Sequence, residues 1–111
     1  MEKTILIKEE YMKIYYHATR YENLVSILNE GIRPSADGVV YMCTKEKDAI
    51  KFPAVLGVRD ILVLEIKIPK SLEKFVSETF DHSETFYKCR AYGYSGVVIP
   101  SMIGRMWRYN I

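Results

Sequence analysis

Residues 60–68, Asp-Ile-Leu-Val-Leu-Glu-Ile-Lys-Ile, constrain the fold of this chain more than any other stretch. Leu62, Leu64, Ile66 and Ile68 alternate onto one face, while the opposite face begins apolar with Ile61 and Val63 and turns polar at Glu65 and Lys67. That pattern predicts a β-strand buried on both sides over its first half. A chain of 111 residues has the size of one domain, able to bury roughly 65% of its unfolded surface, so residues 1–111 read as a single unit.

Around this strand the chain alternates structural types. Ile14 and Tyr16 fall on one face, and Tyr15 and His17 on the other, of a strand over residues 13–17. Thr19 and Glu22 then stand three apart as a capping box, which predicts a helix starting at Arg20 with Leu24, Ile27 and Leu28 on its apolar face. Gly31 is placed as its left-handed C-cap, Ile32 closes a hydrophobic contact, and Pro34 prevents continuation. The run from Val39 to Cys43 reads as a short strand, and Thr44 as the cap of a second helix over 45–52, bounded by Pro53 and Gly57. Further strands are expected at 74–76, 85–92, 96–99 and 105–110. Helices grouped early and strands grouped late argue for α+β rather than a doubly wound parallel sheet.

Charge and composition exclude more than they assign. The N-terminus is too short and charged for a signal peptide, and no run approaches membrane-spanning length, so a cytoplasmic chain without membrane contact is expected. Cys43 and Cys89 sit far apart in apolar contexts, as buried thiols rather than a disulfide. Residues 1–84 carry 12 basic and 14 acidic side chains, whereas residues 85–111 carry four basic and no acidic ones. Those four, Lys88, Arg90, Arg105 and Arg108, are interleaved with aromatic residues that can stack on bases. Phosphate-binding Gly-rich loops, Cys-x-x-Cys pairs, nucleophile elbows and His-Glu-x-x-His helices are all missing, and His17, His82, Cys43 and Cys89 lack metal-ligand spacing.

One ordered series stands above this background. It runs Tyr15-Tyr16-His17-Ala18-Thr19, Asn23-Leu24-x-x-Ile27-Leu28-x-x-Gly31-Ile32, Val39-Val40-Tyr41, Ala49, then residues 61–66. The series resembles the ADP-ribosyltransferase superfamily, with its poly(ADP-ribose) polymerase, bacterial DNA-modifying and tRNA 2′-phosphotransferase branches. The resemblance implies an α+β fold of split antiparallel sheets with two short helices, and NAD as substrate with no metal. His17 would hydrogen-bond the adenosine ribose and the nicotinamide side of NAD, with Ala18, Thr19 and Asn23 beside it. Tyr41 would stack on the nicotinamide ring, and Arg90 or Lys88 would steady phosphate.

The resemblance departs at the late strand, where the family carries a catalytic glutamate and this chain reads Tyr94-Ser95-Gly96-Val97-Val98. Glu84 is the nearest acid, some ten residues early, and Ser-Gly-Val there is similar to the tRNA 2′-phosphotransferase branch. Three expectations follow: an enzyme transferring ADP-ribose from NAD to a protein or nucleic-acid acceptor, or acting on a 2′-phosphate; a catalytically silent nucleotide-binding or partner-binding module; and a small interaction protein whose basic aromatic C-terminus docks nucleic acid. An imidazole at a strand end offers one donor and one acceptor, suited to a ribose cis-diol whatever the family.

Overall fold

The structure, a computed structural model, describes residues 12–79 and 90–111. Among the described residues, six strands form two three-stranded antiparallel sheets: β1 (Lys13–Arg20), β3 (Asp60–Ile68) and β6 (Ile103–Asn110) in the order β1-β3-β6, and β2 (Val40–Met42), β5 (Ala91–Tyr94) and β4 (Val76–Thr79) in the order β2-β5-β4. The α-helices of the described residues, α1 (Leu24–Glu30) and α2 (Glu46–Val55), accompany them. The chain is therefore a small α+β domain with two antiparallel sheets and few short helices. Among the described residues, no helix is long and apolar enough to cross a membrane.

β3 occupies the position its sequence demands, in the middle of the first sheet with both faces covered. Ile61, Leu62, Val63 and Leu64 are all within 1% of complete burial. Leu62, Leu64, Ile66 and Ile68 join Tyr15, Ile27, Val40, Met42, Tyr94 and Val98 in the core between the two sheets. On the opposite face Ile61 and Val63 pack with Ala18, Cys43, Ala49 and Val58 beneath α2. Each such side chain contributes about 1.5–3 kcal/mol of burial.

Several boundaries differ from expectation for identifiable reasons. The capping box does not form: β1 runs on through Arg20, pairing Thr19 with Leu62 and Arg20 with Ile61. Ladder pairing along β3 thus takes the residues that a local cap would have used. A 3₁₀ turn over Tyr21–Asn23 follows, and α1 begins only at Leu24. Leu28, assigned to its apolar face, is 52% exposed, and Ile27 carries the contact with the core. Gly31 does have positive φ, but its ψ of −165° is extended rather than left-handed helical. Thr44 caps nothing, since Lys45 is the N-cap and α2 passes through Pro53 to Val55. Pro53 sits in the last turn, where one missing donor matters little, and the helix closes through Val58 N–H to Pro53 O and Gly57 N–H to Ala54 O, a Schellman motif.

Residues 70–75 form a 3₁₀ turn, so the expected strand at 74–76 starts only at Val76. The strand expected at 96–99 reduces to a single bridge between Val98 and Ile32, because Gly96, at φ 153°, and Pro100 interrupt it. The strand expected at 85–92 is described from residue 91 onward, and Glu84, His82, Lys88 and Cys89 lie outside the described residues.

Besides this packing, the backbones of the two sheets are joined at a seam. Tyr16 N–H donates to Cys43 O at 2.7 Å and Cys43 N–H to Tyr16 O at 2.8 Å, tying the middle of β1 to the end of β2.

Candidate functional site

His17 sits one residue beyond that seam on β1, and Tyr41 two residues before it on β2. Cross-strand pairing puts His17 opposite Leu64 and Thr19 opposite Leu62, so both side chains stand on the face of the first sheet that meets the second. His17 Nδ1 lies 2.7 Å from the Tyr41 carbonyl oxygen. A carbonyl can only accept, so the proton is on Nδ1, and in the neutral ring Nε2 is left as an acceptor. The donor that the sequence reading offered to a ribose is therefore engaged inside the protein. Burial holds the His17 pKa below its ordinary value, outweighing the opposite pull of the hydrogen bond to Tyr41 O. The imidazole is neutral at physiological pH.

A cavity of about 480 Å³ opens beside this pair, walled by His17, Thr19, Asn23, Ser26, Ile27 and Tyr41, with Glu30, Arg33 and Ser35 at its outer side. Its volume is within the ordinary range for small-molecule sites. Asn23 Nδ2 donates to Thr19 Oγ1 at 2.9 Å, which joins the end of β1 to the start of α1 within the cavity lining. A second cavity of about 150 Å³ lies against the other side of His17 and Tyr41, lined by Ala18, Met42, Cys43, Ala49 and Phe52 together with Tyr16. Its lining is almost wholly apolar, and its size suits one flat ring.

The Tyr41 hydroxyl donates to Asp37 Oδ2, and Ser35 Oγ donates to Asp37 Oδ1 and also contacts the Val39 carbonyl at 2.9 Å. These bonds, Ser35 first and Tyr41 second, hold the exposed Asp37 carboxyl below the usual carboxylate range. The turn preceding β2 thus fixes the ring that both cavities share.

Of the residues expected at the site, His17, Thr19, Asn23 and Tyr41 converge on the larger cavity, and Ala18 on the smaller. Arg90 lines neither; its Nε lies 3.5 Å from Glu78 Oε2 on the outer part of the second sheet. Glu84 is outside the described residues. The segment where the family carries its acid does not line either cavity: Tyr94 is in the core, and exposed Ser95 gives its N–H to Phe75 O. Sequence reasoning missed Ser26, Glu30, Arg33, Ser35, Asp37 and Phe52. Phe52 alone had a local signal, as an aromatic three residues after Ala49 in a helix already expected.

Two of the four basic residues of the C-terminal segment pair with acids of β3. Arg108 makes a bidentate pair with Asp60, 2.8 Å at each nitrogen, with its guanidinium 4.1 Å from the Tyr21 ring centroid. Arg105 pairs with Glu65 at 3.3 Å and stacks over Trp107. Among the described residues, no cluster of three or more metal-ligating side chains occurs. Compared with protein-family models and with curated proteins, the chain matches none of them.

Proposed function

We propose that the domain is an ADP-ribosyltransferase-like protein that binds NAD across the two cavities. One observation carries the reading: His17 and Tyr41, on strands of different sheets, clasp each other by a 2.7 Å hydrogen bond and wall the same concave site. The larger cavity takes the adenosine ribose and pyrophosphate, with His17 Nε2 accepting from a ribose hydroxyl and Thr19 and Asn23 alongside. The smaller takes the nicotinamide ring between Tyr41 and Phe52, in an apolar slot that suits a flat heteroaromatic.

In transfer, the bond between nicotinamide nitrogen and ribose C1′ breaks, nicotinamide leaves with the electron pair, and an acceptor hydroxyl or amine attacks C1′ and loses its proton. Positive charge on C1′ calls for a carboxylate nearby, a term worth several kcal/mol. Among the described residues, the carboxylate lining the larger cavity is Glu30, already ion-paired to Arg33. That pairing favours, as a second reading, a module that holds the nucleotide without cleaving it.

Calorimetric titration with NAD and ADP-ribose, followed by incubation with NAD labelled in nicotinamide and a panel of protein and nucleic-acid acceptors, separates the outcomes. Binding lost in His17→Ala with nicotinamide release supports the transferase. Binding without release supports the silent module, and no binding by the wild-type domain removes both.

A further inference from the structure

The charge on the walls of the larger cavity is concentrated in two residues. Of the described side chains lining it, Arg33 is the single Lys or Arg and Glu30 the single carboxylate; the remaining polar ones, His17, Thr19, Asn23, Ser26, Ser35 and Tyr41, are neutral. Arg33 Nη2 pairs with Glu30 Oε1 across one turn at the end of α1, and the side chains are 75% and 51% exposed. An ion pair this open to water is worth at most about 1 kcal/mol, so a ligand anion can displace the carboxylate from the guanidinium at little cost. Arg33 presents a planar fork that suits phosphate oxygens, which a Lys at the same place would not reproduce. Its backbone is held firmly, since Ile32 immediately before it exchanges two hydrogen bonds with Val98, at 2.8 and 2.9 Å.

We infer that Arg33 is the pyrophosphate anchor of this cavity and that Glu30 sets its charge selectivity, admitting a dinucleotide of low net charge and rejecting one with a further phosphate. The inference rests on the NAD-binding reading above and adds the residue and the ligand class within it. Two arguments carry it. Arg90, one of the cations that the sequence offered for phosphate, stands outside the cavity against Glu78, whereas Arg33 is the described cation that a phosphate bound there would meet. With one positive and one negative charge, the described wall is neutral as a whole. It can therefore balance NAD, whose pyrophosphate is partly offset by the nicotinamide cation, but not NADP, whose 2′-phosphate adds about two negative charges for which this wall supplies no second cation.

The test is calorimetric titration of the full chain and four variants, Arg33→Ala, Arg33→Lys, Glu30→Gln and Arg59→Ala, with NAD, NADP and ADP-ribose at two salt concentrations. Arg33 is exposed and its substitution leaves the core untouched, which a thermal melt of each variant checks. Arg59 is an exposed arginine outside both cavities and controls for net charge. Wild type is expected to bind NAD at least about tenfold more tightly than NADP. Arg33→Ala should lose about tenfold or more in affinity for NAD and ADP-ribose, with Arg33→Lys recovering only part of it, as expected for a charge-assisted hydrogen bond to phosphate. Glu30→Gln should narrow the gap between NAD and NADP, and Arg59→Ala should match wild type. Wild-type binding that depends on His17 but is unchanged in Arg33→Ala, or equal affinity for NAD and NADP, overturns the inference and leaves the NAD reading standing. Failure of wild type to bind NAD or ADP-ribose overturns both.

Discussion

Gly31→Ala tests the packing that supports the cavity. Gly31 ends α1 at φ 80°, ψ −165°, a conformation that residues with a Cβ scarcely adopt, and strain there is worth about 1–3 kcal/mol. The second contribution is steric. A Cβ would lie 3.0 Å from both the Val98 carbonyl carbon and the Ile99 Cα, and closer still to the Val98 carbonyl oxygen. All of these atoms are backbone, so relief means moving the 97–99 segment and loosening the two Ile32–Val98 hydrogen bonds, at about 1 kcal/mol each. Together the substitution should destabilise by about 3–5 kcal/mol, a large share of the roughly 5–15 kcal/mol typical of a domain. In urea denaturation followed by far-UV circular dichroism, the midpoint should fall with an unchanged slope. Gly57→Ala is the internal control: φ is 87° there, but nothing lies within 4 Å of the added Cβ, so about 1 kcal/mol of conformational strain is expected alone. Equal losses in the two variants would show that the close approach to Val98 contributes nothing and would refute the reasoning.

Three further outcomes are expected. Because burial lowers the His17 pKa in the folded state, the unfolded chain takes up a proton first: stability is full above about pH 6.5, the unfolded value, and declines as pH falls from there towards the folded pKa. His17→Asn should remove that slope from thermal melts over the same window, whereas carboxylate effects belong to lower pH. Tyr41→Phe keeps the ring and loses the hydroxyl bond to exposed Asp37, so stability should change by less than about 1 kcal/mol and NAD affinity less than severalfold, while Tyr41→Ala should abolish measurable binding in the same titration. Arg108, chiefly through its hydrogen bonds, holds the Asp60 carboxyl below its ordinary pKa, so in Arg108→Ala a carbon-detected NMR titration should place Asp60 back near the usual carboxylate value.

What could be read from the sequence divides along the range of the forces involved. β3 was legible because a period-two run whose first half is apolar on both faces leaves one arrangement open to it, and the end of α1 because Gly31 and Pro34 stop a helix, although the conformation of Gly31 was not. The start of α1 was not legible: Thr19 and Glu22 satisfy a local capping rule, but pairing of β1 with β3 is a tertiary contact between residues more than 40 apart and takes precedence. Within the site, His17, Thr19, Asn23 and Tyr41 were visible as ordered motifs. Glu30 and Arg33 were not, because an i, i+3 charge pair at a helix end has the same sequence signature whether it faces bulk water or a cavity. Asp37 was hidden in a polar turn, Ser35-Ala36-Asp37-Gly38, whose composition explains itself without any reference to Tyr41.

The paired bonds between Tyr16 and Cys43 make the site a joint as well as a surface. His17 belongs to one sheet and Tyr41 to the other, so whatever occupies the space between them reports on how closely the sheets are apposed and, by linkage, resists their parting. A ligand that grips both should act like a rivet: the Tyr16 and Cys43 amides would exchange with solvent deuterium more slowly when the site is filled, while amides in the middle of β3, sealed by the core on both faces, would not notice. Occupancy could then be followed through two backbone protons already bonded within the protein.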